Sequence, residues 1–105
     1  MTLPRFFGKP KKPRLLIRRV VGHSMAPALE PGQIVVALAP KRLRTGMVVV
    51  VRHDNLEKIK RVQQLRPNQL FIVGDNPGAS TDSRHFGWLD KSTVVGTVVW
   101  PRLLL

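Results

Sequence analysis

Residues 45–52 read TGMVVVVR, and this stretch decides the fold class. The Thr45-Gly46 pair is typical of a turn, and the apolar run 47–51 that follows is rich in valine, which favours an extended strand over a helix. Helical periodicity is nearly absent from the rest of the chain. The run is also far shorter than the stretch of about 20 apolar residues that a membrane-spanning helix needs.

Five further short apolar runs lie on either side of this stretch, and turn residues bound each of them. They are residues 15–21, 33–38, 56–63, 70–73 and 93–100. Six such runs predict a single small, mostly β domain. Gly96 interrupts the last run, which predicts a β-bulge there. Single helical turns are expected at 25–29 and at 89–93, where Asp90 would cap the turn.

The positive charge is concentrated at the N-terminus of the chain. The formal net charge is +12, and residues 1–19 hold seven of the 18 basic side chains and none of the six acidic ones. The prolines of this N-terminal segment predict an extended arm over residues 1–13, which is followed by a domain over residues 14–105. A basic arm of this kind is consistent with a solvated tail and equally with a segment that contacts an anionic membrane surface. No apolar segment of signal-peptide type follows the arm, so we expect a soluble, cytoplasmic protein.

A serine lies at an unusual position in residues 22–32, which read GHSMAPALEPG. The Ser24 hydroxyl falls where a strand passes into a proline-interrupted turn, so it can stand free of the strand ladder. Backbone N–H groups at such a junction can point outward and receive an oxyanion. The alternative interpretation is structural, because most serines at strand ends are turn or capping residues.

A lysine and a polar loop complete the candidate site. Lys60 lies between Ile59 and Val62 on a strand with an apolar face, and a desolvated lysine amine loses its proton more easily and can act as a base. We expect its neighbours Lys58 and Arg61 to be solvated surface charges. The loop 74–84, GDNPGASTDSR, is either a surface loop or a rigid hydrogen-bonded support beneath an active site.

Together these segments resemble the serine–lysine signal peptidase family, in the family's order. GHSMAPALEPGQIVV is similar to its nucleophile box, IKRV to its general-base box and GDNPGASTDSRHFGWL to its third, polar box. The resemblance runs from about residue 20 to residue 100. It implies a mostly β, partly open, barrel-like antiparallel domain of the signal peptidase and LexA type, with the site on its surface.

The resemblance also implies a role for each matching residue. Ser24 would be the nucleophile, its backbone N–H an oxyanion donor, and Lys60 the general base, with Ser80 orienting the lysine amine. Met25 would help to wall the pocket. Gly22 stands where the family often has a serine that supplies a second oxyanion donor, so a backbone group would have to replace that hydroxyl.

Three charged residues of the third box complete the implied site. Asp75, Asp82 and Arg84 would form one ion-pair network that holds the polar loop. The resemblance implies a serine endopeptidase that uses neither a metal nor an organic cofactor. Because no membrane anchor is found and the region between the serine and lysine boxes is short, the chain looks most similar to the nickel-type superoxide dismutase maturation proteases. The implied substrate is a protein precursor that loses an N-terminal propeptide.

Other functions remain open from the sequence. A Ser-His-Asp site would need His23, His53 or His85, none of which lies in a diagnostic motif. A small basic β module would bind single-stranded nucleic acid through stacking aromatic side chains, but the chain has only four Phe, two Trp and no Tyr. A LexA-like self-cleaving domain would need an upstream cleavage segment, and only 23 residues precede Ser24.

Overall fold

The computed structural model describes residues 14–39 and 42–103, and the predicted arm over residues 1–13 lies outside the described residues. The described part forms one seven-stranded antiparallel sheet, with the strand order β1-β2-β7-β3-β4-β5-β6. The strands are β1 Arg14–Arg19, β2 Ile34–Ala39, β3 Val48–His53, β4 Leu56–Leu65, β5 Gln69–Val73, β6 Leu89–Asp90 and β7 Val94–Trp100. One short helix, α1, spans Ser83–Phe86, and 3-10 turns span Pro77–Ala79 and Lys91–Thr93. Among the residues described, no helix is long and apolar enough to cross a membrane.

The mostly β prediction is confirmed, and each of the six predicted strands is present with ends within two residues of the expected ones. The segment 25–29 forms a hydrogen-bonded turn rather than the expected helical one, with the Leu29 N–H donating to the Met25 carbonyl at 2.9 Å. The second expected turn is only partly right. Its first two residues form the short strand β6, and the 3-10 turn that follows is capped by the Asp90 carboxylate on the Ser92 N–H at 2.7 Å.

The valine run lies in the middle of the sheet and is buried on both faces. Val49 and Val51 pack in a core with Val62, Leu70, Ile72 and Leu89, whereas Val48 packs on the other side with Val20, Met25, Leu29 and Val35. Strand residues alternate between faces, so a strand covered on both sides is apolar throughout rather than at every second position. The second of these cores lies directly under the segment that carries Ser24.

A bulge lies beside Gly96, as the sequence predicts. The pairing of β3 with β7 shifts between Val50, opposite Gly96, and Val51, opposite Val94. A Cβ atom at Gly96 would lie 3.0 Å from the Leu38 carbonyl oxygen, which is too close for ordinary packing. Glycine at this position therefore lets β2 and β7 approach each other closely beside the bulge.

The sheet curls until two of its strand edges face each other. Arg18 on β1 bonds to Glu57 on β4, although β2, β7 and β3 separate these strands in the sheet order. Residues 56–60 of β4 pair with β3 on one side, and pairing with β5 begins only at Arg61. In the described chain the second side of residues 56–60 and the outer side of β1 have no strand partner. A cleft of about 440 Å³ lies between these two edges.

Candidate active site

The segment that carries Ser24 is fixed to the polar loop by hydrogen bonds to two consecutive carbonyl groups. The Asn76 N–H donates to the Ser24 carbonyl at 2.8 Å, and its side-chain amide donates to the His23 carbonyl at 3.1 Å. A Cβ atom at Gly74 would lie 2.6 Å from the Ser24 carbonyl oxygen and closer still to the Ser80 hydroxyl. Only glycine at position 74 permits this approach, which brings the two serine segments together.

The residues next to Ser24 explain why its side chain is presented at the cleft. Met25 is 1% exposed and packs into the core with Val20 and Leu29, which anchors the turn, and it also lines the cleft. Gly22 has φ of +78°, a conformation that side-chain-bearing residues rarely adopt. A serine at position 22 would be strained in this backbone. This strain is a physical reason why the position holds glycine and not a serine whose hydroxyl would be a second oxyanion donor.

Lys60 brings a buried amine to the site. Its side chain lies on β4, the residue is 5% exposed, and its amine donates to the Ser80 hydroxyl at 3.0 Å. Burial lowers the pKa of the Lys60 amine; the nearby Asp82 carboxylate opposes this effect, while the charges of Lys58 and Arg84 add to it. The environment therefore favours the neutral amine that a general base requires.

The Ser80 hydroxyl connects this amine to a fully buried carboxylate. It donates to Asp82 Oδ2 at 2.5 Å, and the same carboxylate accepts the Gly74 N–H at 2.8 Å and the Arg84 guanidinium at 2.5 and 3.0 Å. Burial alone would raise the pKa of Asp82, but these donors outweigh it and hold the pKa well below its ordinary range. Asp82 stays ionised, so the Ser80 hydroxyl proton points to Asp82 and its oxygen lone pairs face Lys60.

Ser24 and Lys60 line the same cleft, together with Met25 and Ile59, which pack in the core that contains Val20. The cleft thus combines a hydroxyl on an anchored turn with a buried amine that no carboxylate contacts directly within the described chain. A serine hydroxyl and a lysine amine with a lowered pKa are the two groups that nucleophilic attack with lysine as the proton acceptor requires.

The single network expected for Asp75, Asp82 and Arg84 is wrong. Asp82 pairs with Arg84, but Asp75 accepts two hydrogen bonds from Arg61, at 2.8 and 2.7 Å. The reason is strand alternation, because Arg61 follows Lys60 on β4 and points to the opposite face. Arg61 also donates to the Gly46 and Leu103 carbonyls, so the expectation of a solvated Arg61 is wrong as well.

Lys58 is not a freely solvated charge either. Its amine lies 3.0 Å from His53 Nδ1 and 4.7 Å from the centre of the Phe86 ring. His85 is likewise committed to a structural contact, because its Nδ1 accepts the Asp82 N–H at 3.2 Å and completes the capping box of α1. Two of the three histidines considered for a Ser-His-Asp site therefore already have local partners.

Helix α1 and the Arg18–Glu57 pair are two further features that the sequence did not predict. The helix is four residues long, and the Asp82-to-His85 spacing that caps it was the only available signal. The ion pair joins residues 39 positions apart, and nothing local in the sequence predicts the curl that brings them together.

Comparison with known proteins identifies relatives of the segment that contains Lys60 and the polar loop. Residues 52–103 match the family Signal peptidase, peptidase S26. A stretch of 49 residues is 39% identical to Signal peptidase I of Bacillus caldolyticus, covering 44% of this chain and 27% of that protein. The chain thus spans only about a quarter of this relative's length. The family match includes Lys60 and the whole polar loop but begins after Ser24. In the structure, Ser24 lines the same cleft as Lys60. Over residues 52–103 the chain is thus similar to the signal peptidase family, peptidase S26.

Proposed function

We propose that the chain is a serine endopeptidase with a Ser24–Lys60 dyad that cleaves an N-terminal propeptide or signal-like segment from a protein precursor. The observation that carries the proposal is the buried Lys60 amine, which has a lowered pKa, bonds to a neutral hydroxyl and lines the same cleft as Ser24. The family match over the lysine and loop segments supports the same chemistry.

In the proposed reaction, Ser24 Oγ attacks the scissile carbonyl carbon and its proton passes to the Lys60 amine. The charged Lys60 then gives this proton to the leaving amine as the peptide bond breaks, which leaves an acyl group on Ser24. Lys60 next takes a proton from a water molecule that attacks the acyl-enzyme, and it returns that proton to Ser24 as the new carboxyl terminus leaves. The Ser24 N–H would donate to the oxyanion formed at each attack.

Two strand edges that lack a strand partner among the described residues suit an extended substrate. The outer side of β1 and the second side of residues 56–60 on β4 both present backbone groups toward the cleft. A peptide in an extended conformation can bond to such an edge as an added strand, which would hold its scissile bond in register with Ser24. Cleavage would then depend on a flexible, extended segment, as at the N-terminus of a precursor.

The specific precursor we propose is that of a nickel-type superoxide dismutase, processed in the cytoplasm. The proposal is based on the resemblance of the sequence to that group of maturation proteases. The N-terminal arm over residues 1–13 would then serve binding rather than chemistry, either to the precursor or to an anionic membrane surface. A truncated chain lacking residues 1–13 should therefore still cleave a precursor in solution.

The test is to incubate the protein with a candidate nickel superoxide dismutase precursor and to read the product N-terminus by mass spectrometry. Wild-type protein should produce one new N-terminus, Ser24→Ala should produce none, and Ser92→Ala is the matched control because Ser92 is an exposed serine in a distant turn. Cleavage that persists in a folded Ser24→Ala protein would refute the dyad. Cleavage of other precursors but not of this one would refute only the substrate.

A further inference from the structure

Lys58 is a second lysine of the cleft, and the proposed reaction leaves it without a role. It lies two residues before Lys60 on β4, and both lysines line the cleft that contains Ser24. Side chains two residues apart on a strand point to the same face. The register with β3 agrees, because the two lysines lie opposite Val51 and Val49, which belong to one core. Two lysine amines therefore extend from the same face of the same strand.

Two neighbours hold the Lys58 amine in place. It lies 3.0 Å from His53 Nδ1 on β3 and 4.7 Å from the centre of the Phe86 ring on α1. An ammonium group has only donors, so His53 Nδ1 accepts this hydrogen bond. The two rings also pack against each other, with their centres 4.3 Å apart. An imidazole acceptor and a phenyl ring thus fix the position of the Lys58 charge without neutralising it.

The charge of Lys58 has no direct carboxylate partner within the part of the chain that the structure describes. The Asp54 carboxylate lies 3.8 Å from His53 Nδ1, but it is 80% exposed and therefore screened by solvent. Glu57 is the next residue on β4, so it points to the opposite face, where Arg18 binds it. The positive charge of Lys58 consequently acts on the amine two residues away.

Charged and polar groups face the Lys60 amine from the polar loop, from α1 and from β4 itself. Ser80 accepts its hydrogen bond, Asp82 lies behind Ser80, and Arg84 binds Asp82. Burial is the main cause of the lowered pKa of Lys60; Asp82 opposes it, and the charge of Lys58 adds to it. Arg84 cannot be replaced without breaking the carboxylate network, whereas Lys58 lies outside that network. Its charge can therefore be removed separately.

We propose that Lys58 is a positioning residue of the reaction, whose charge favours the neutral form of the Lys60 amine and so extends cleavage to lower pH. His53 and Phe86 hold that charge on the face of β4 that carries Lys60. This inference rests on the proposed function, because it assumes that neutral Lys60 activates Ser24. It deepens that function by naming a residue that regulates the lower pH limit of activity.

Four variants test the effect of the charge on Lys60. Lys58→Gln and Lys58→Met remove the charge, the methionine keeping an apolar stem against Phe86, whereas Lys58→Arg keeps the charge. Arg66→Gln is the matched control, because it removes one positive charge just beyond the other end of β4, where Arg66 stacks on Trp88. Circular dichroism establishes that each variant is folded.

The first measurement is the titration of Lys60 by NMR in protein labelled with ¹³C at lysine Cε. The midpoint should rise by about 0.5 to 1 pH unit in Lys58→Gln and Lys58→Met, as expected for two like charges several ångströms apart in a partly buried site. It should stay at the wild-type value in Lys58→Arg and Arg66→Gln. An unchanged midpoint in the two neutral variants, or an equal rise in Lys58→Arg or Arg66→Gln, would overturn the inference.

The second measurement is the pH dependence of cleavage, with the candidate nickel superoxide dismutase precursor as substrate. On the acidic limb of the profile, kcat/KM should be about 3- to 10-fold lower in Lys58→Gln than in wild type, and the plateau at high pH should be unchanged. Lys58→Arg should restore the wild-type profile. A loss of kcat/KM by the same factor at every pH would indicate a merely structural role for Lys58 and would refute the proposal.

The two proposals fail in different ways. Ser24-dependent cleavage with the same pH profile in wild type and Lys58→Gln would leave the endopeptidase proposal standing and refute the role of Lys58. A Lys60 midpoint that depends on the Lys58 charge, without Ser24-dependent cleavage of any precursor, would support the effect of Lys58 on the Lys60 amine and count against the endopeptidase.

Discussion

Lys60 and Arg61 are adjacent on β4, and strand alternation sends their side chains to opposite faces of the sheet, where two different environments receive them. The Arg61 guanidinium forms two hydrogen bonds with the Asp75 carboxylate, which raises the pKa of the arginine further. The Lys60 amine bonds instead to the neutral Ser80 hydroxyl, and the Asp82 carboxylate lies one group further away.

The difference shows how one strand can supply a structural cation and a base side by side. Direct contact with a carboxylate outweighs the cost of burial and keeps Arg61 charged. When a hydroxyl separates the amine from the carboxylate, burial dominates and the pKa of Lys60 falls. Asp82 is also held by Arg84 and by backbone N–H groups, and the positive charge of Arg84 partly offsets the stabilisation that Asp82 gives to a charged Lys60.

The largest expected effect comes from exchanging lysine for arginine, or arginine for lysine, at the adjacent positions 60 and 61. Lys60→Arg should lower kcat for precursor cleavage by about 10³-fold or more, because a guanidinium stays protonated and cannot act as the base. Arg61→Lys is the matched variant, and it should retain most of the activity while losing about 1 kcal/mol of folding stability with the bidentate geometry. Similar kcat losses in the two variants, at equal folded fractions by circular dichroism, would contradict the division of roles.

The second effect concerns the carboxylate beneath Lys60. Asp82→Asn should lower the free energy of unfolding by about 3 kcal/mol, because it breaks a fully buried, charge-assisted network. The low folded-state pKa of Asp82 means that its stabilisation is complete above the unfolded value of about 3.9 and is lost as the pH falls below it. Urea denaturation at neutral and at acidic pH should therefore show a difference between wild type and variant that shrinks in acid. A difference in unfolding free energy that is the same at both pH values would contradict the low folded-state pKa of Asp82.

Loss of the Ser80 hydroxyl, which lies between the Lys60 amine and the Asp82 carboxylate, should have an intermediate effect on activity. Ser80→Ala removes the acceptor of the Lys60 amine, which then loses its fixed orientation, so we expect kcat to fall about 10- to 100-fold while KM changes little. Ser80→Thr, which keeps the hydroxyl, should recover part of the loss. Equal losses in the alanine and threonine variants would indicate that packing rather than the hydrogen bond matters.

The smallest effect on the cleavage reaction is expected from a substitution on the face of β4 that carries Arg61, opposite to Lys60. Asp75→Asn should cost about 1 to 2 kcal/mol of stability, because it replaces a charged acceptor of Arg61 by a neutral one. It should leave the pH dependence of cleavage unchanged, because Asp75 is not part of the network that contacts Lys60. A shifted pH profile in this variant would place Asp75 back in one network with Asp82, as the sequence suggested.

The sequence predicted the strands and the residues at the cleft for a physical reason. Short runs of β-branched residues bounded by turns determine strands locally, and the motifs around Ser24, Lys60 and Ser80 are themselves local. The partners of Arg61 and Glu57 could not be found in the same way. They depend on which face of β4 each residue occupies and on how far the sheet curls, which are properties of the assembled sheet. Elements as short as β6 and α1 also carry too little pattern to be distinguished from loops.

The most direct test of the account is the titration of Lys60 itself. Lysine labelled with ¹³C at Cε can be followed by NMR against pH, and the Lys60 resonance is identified as the one absent from Lys60→Arg. We predict that this resonance titrates below the ordinary lysine pKa of about 10.4, and that kcat/KM for cleavage rises with pH through the same midpoint. A Lys60 that titrates at or above the ordinary value, or activity that is independent of its titration, would contradict the claim that a neutral Lys60 activates Ser24.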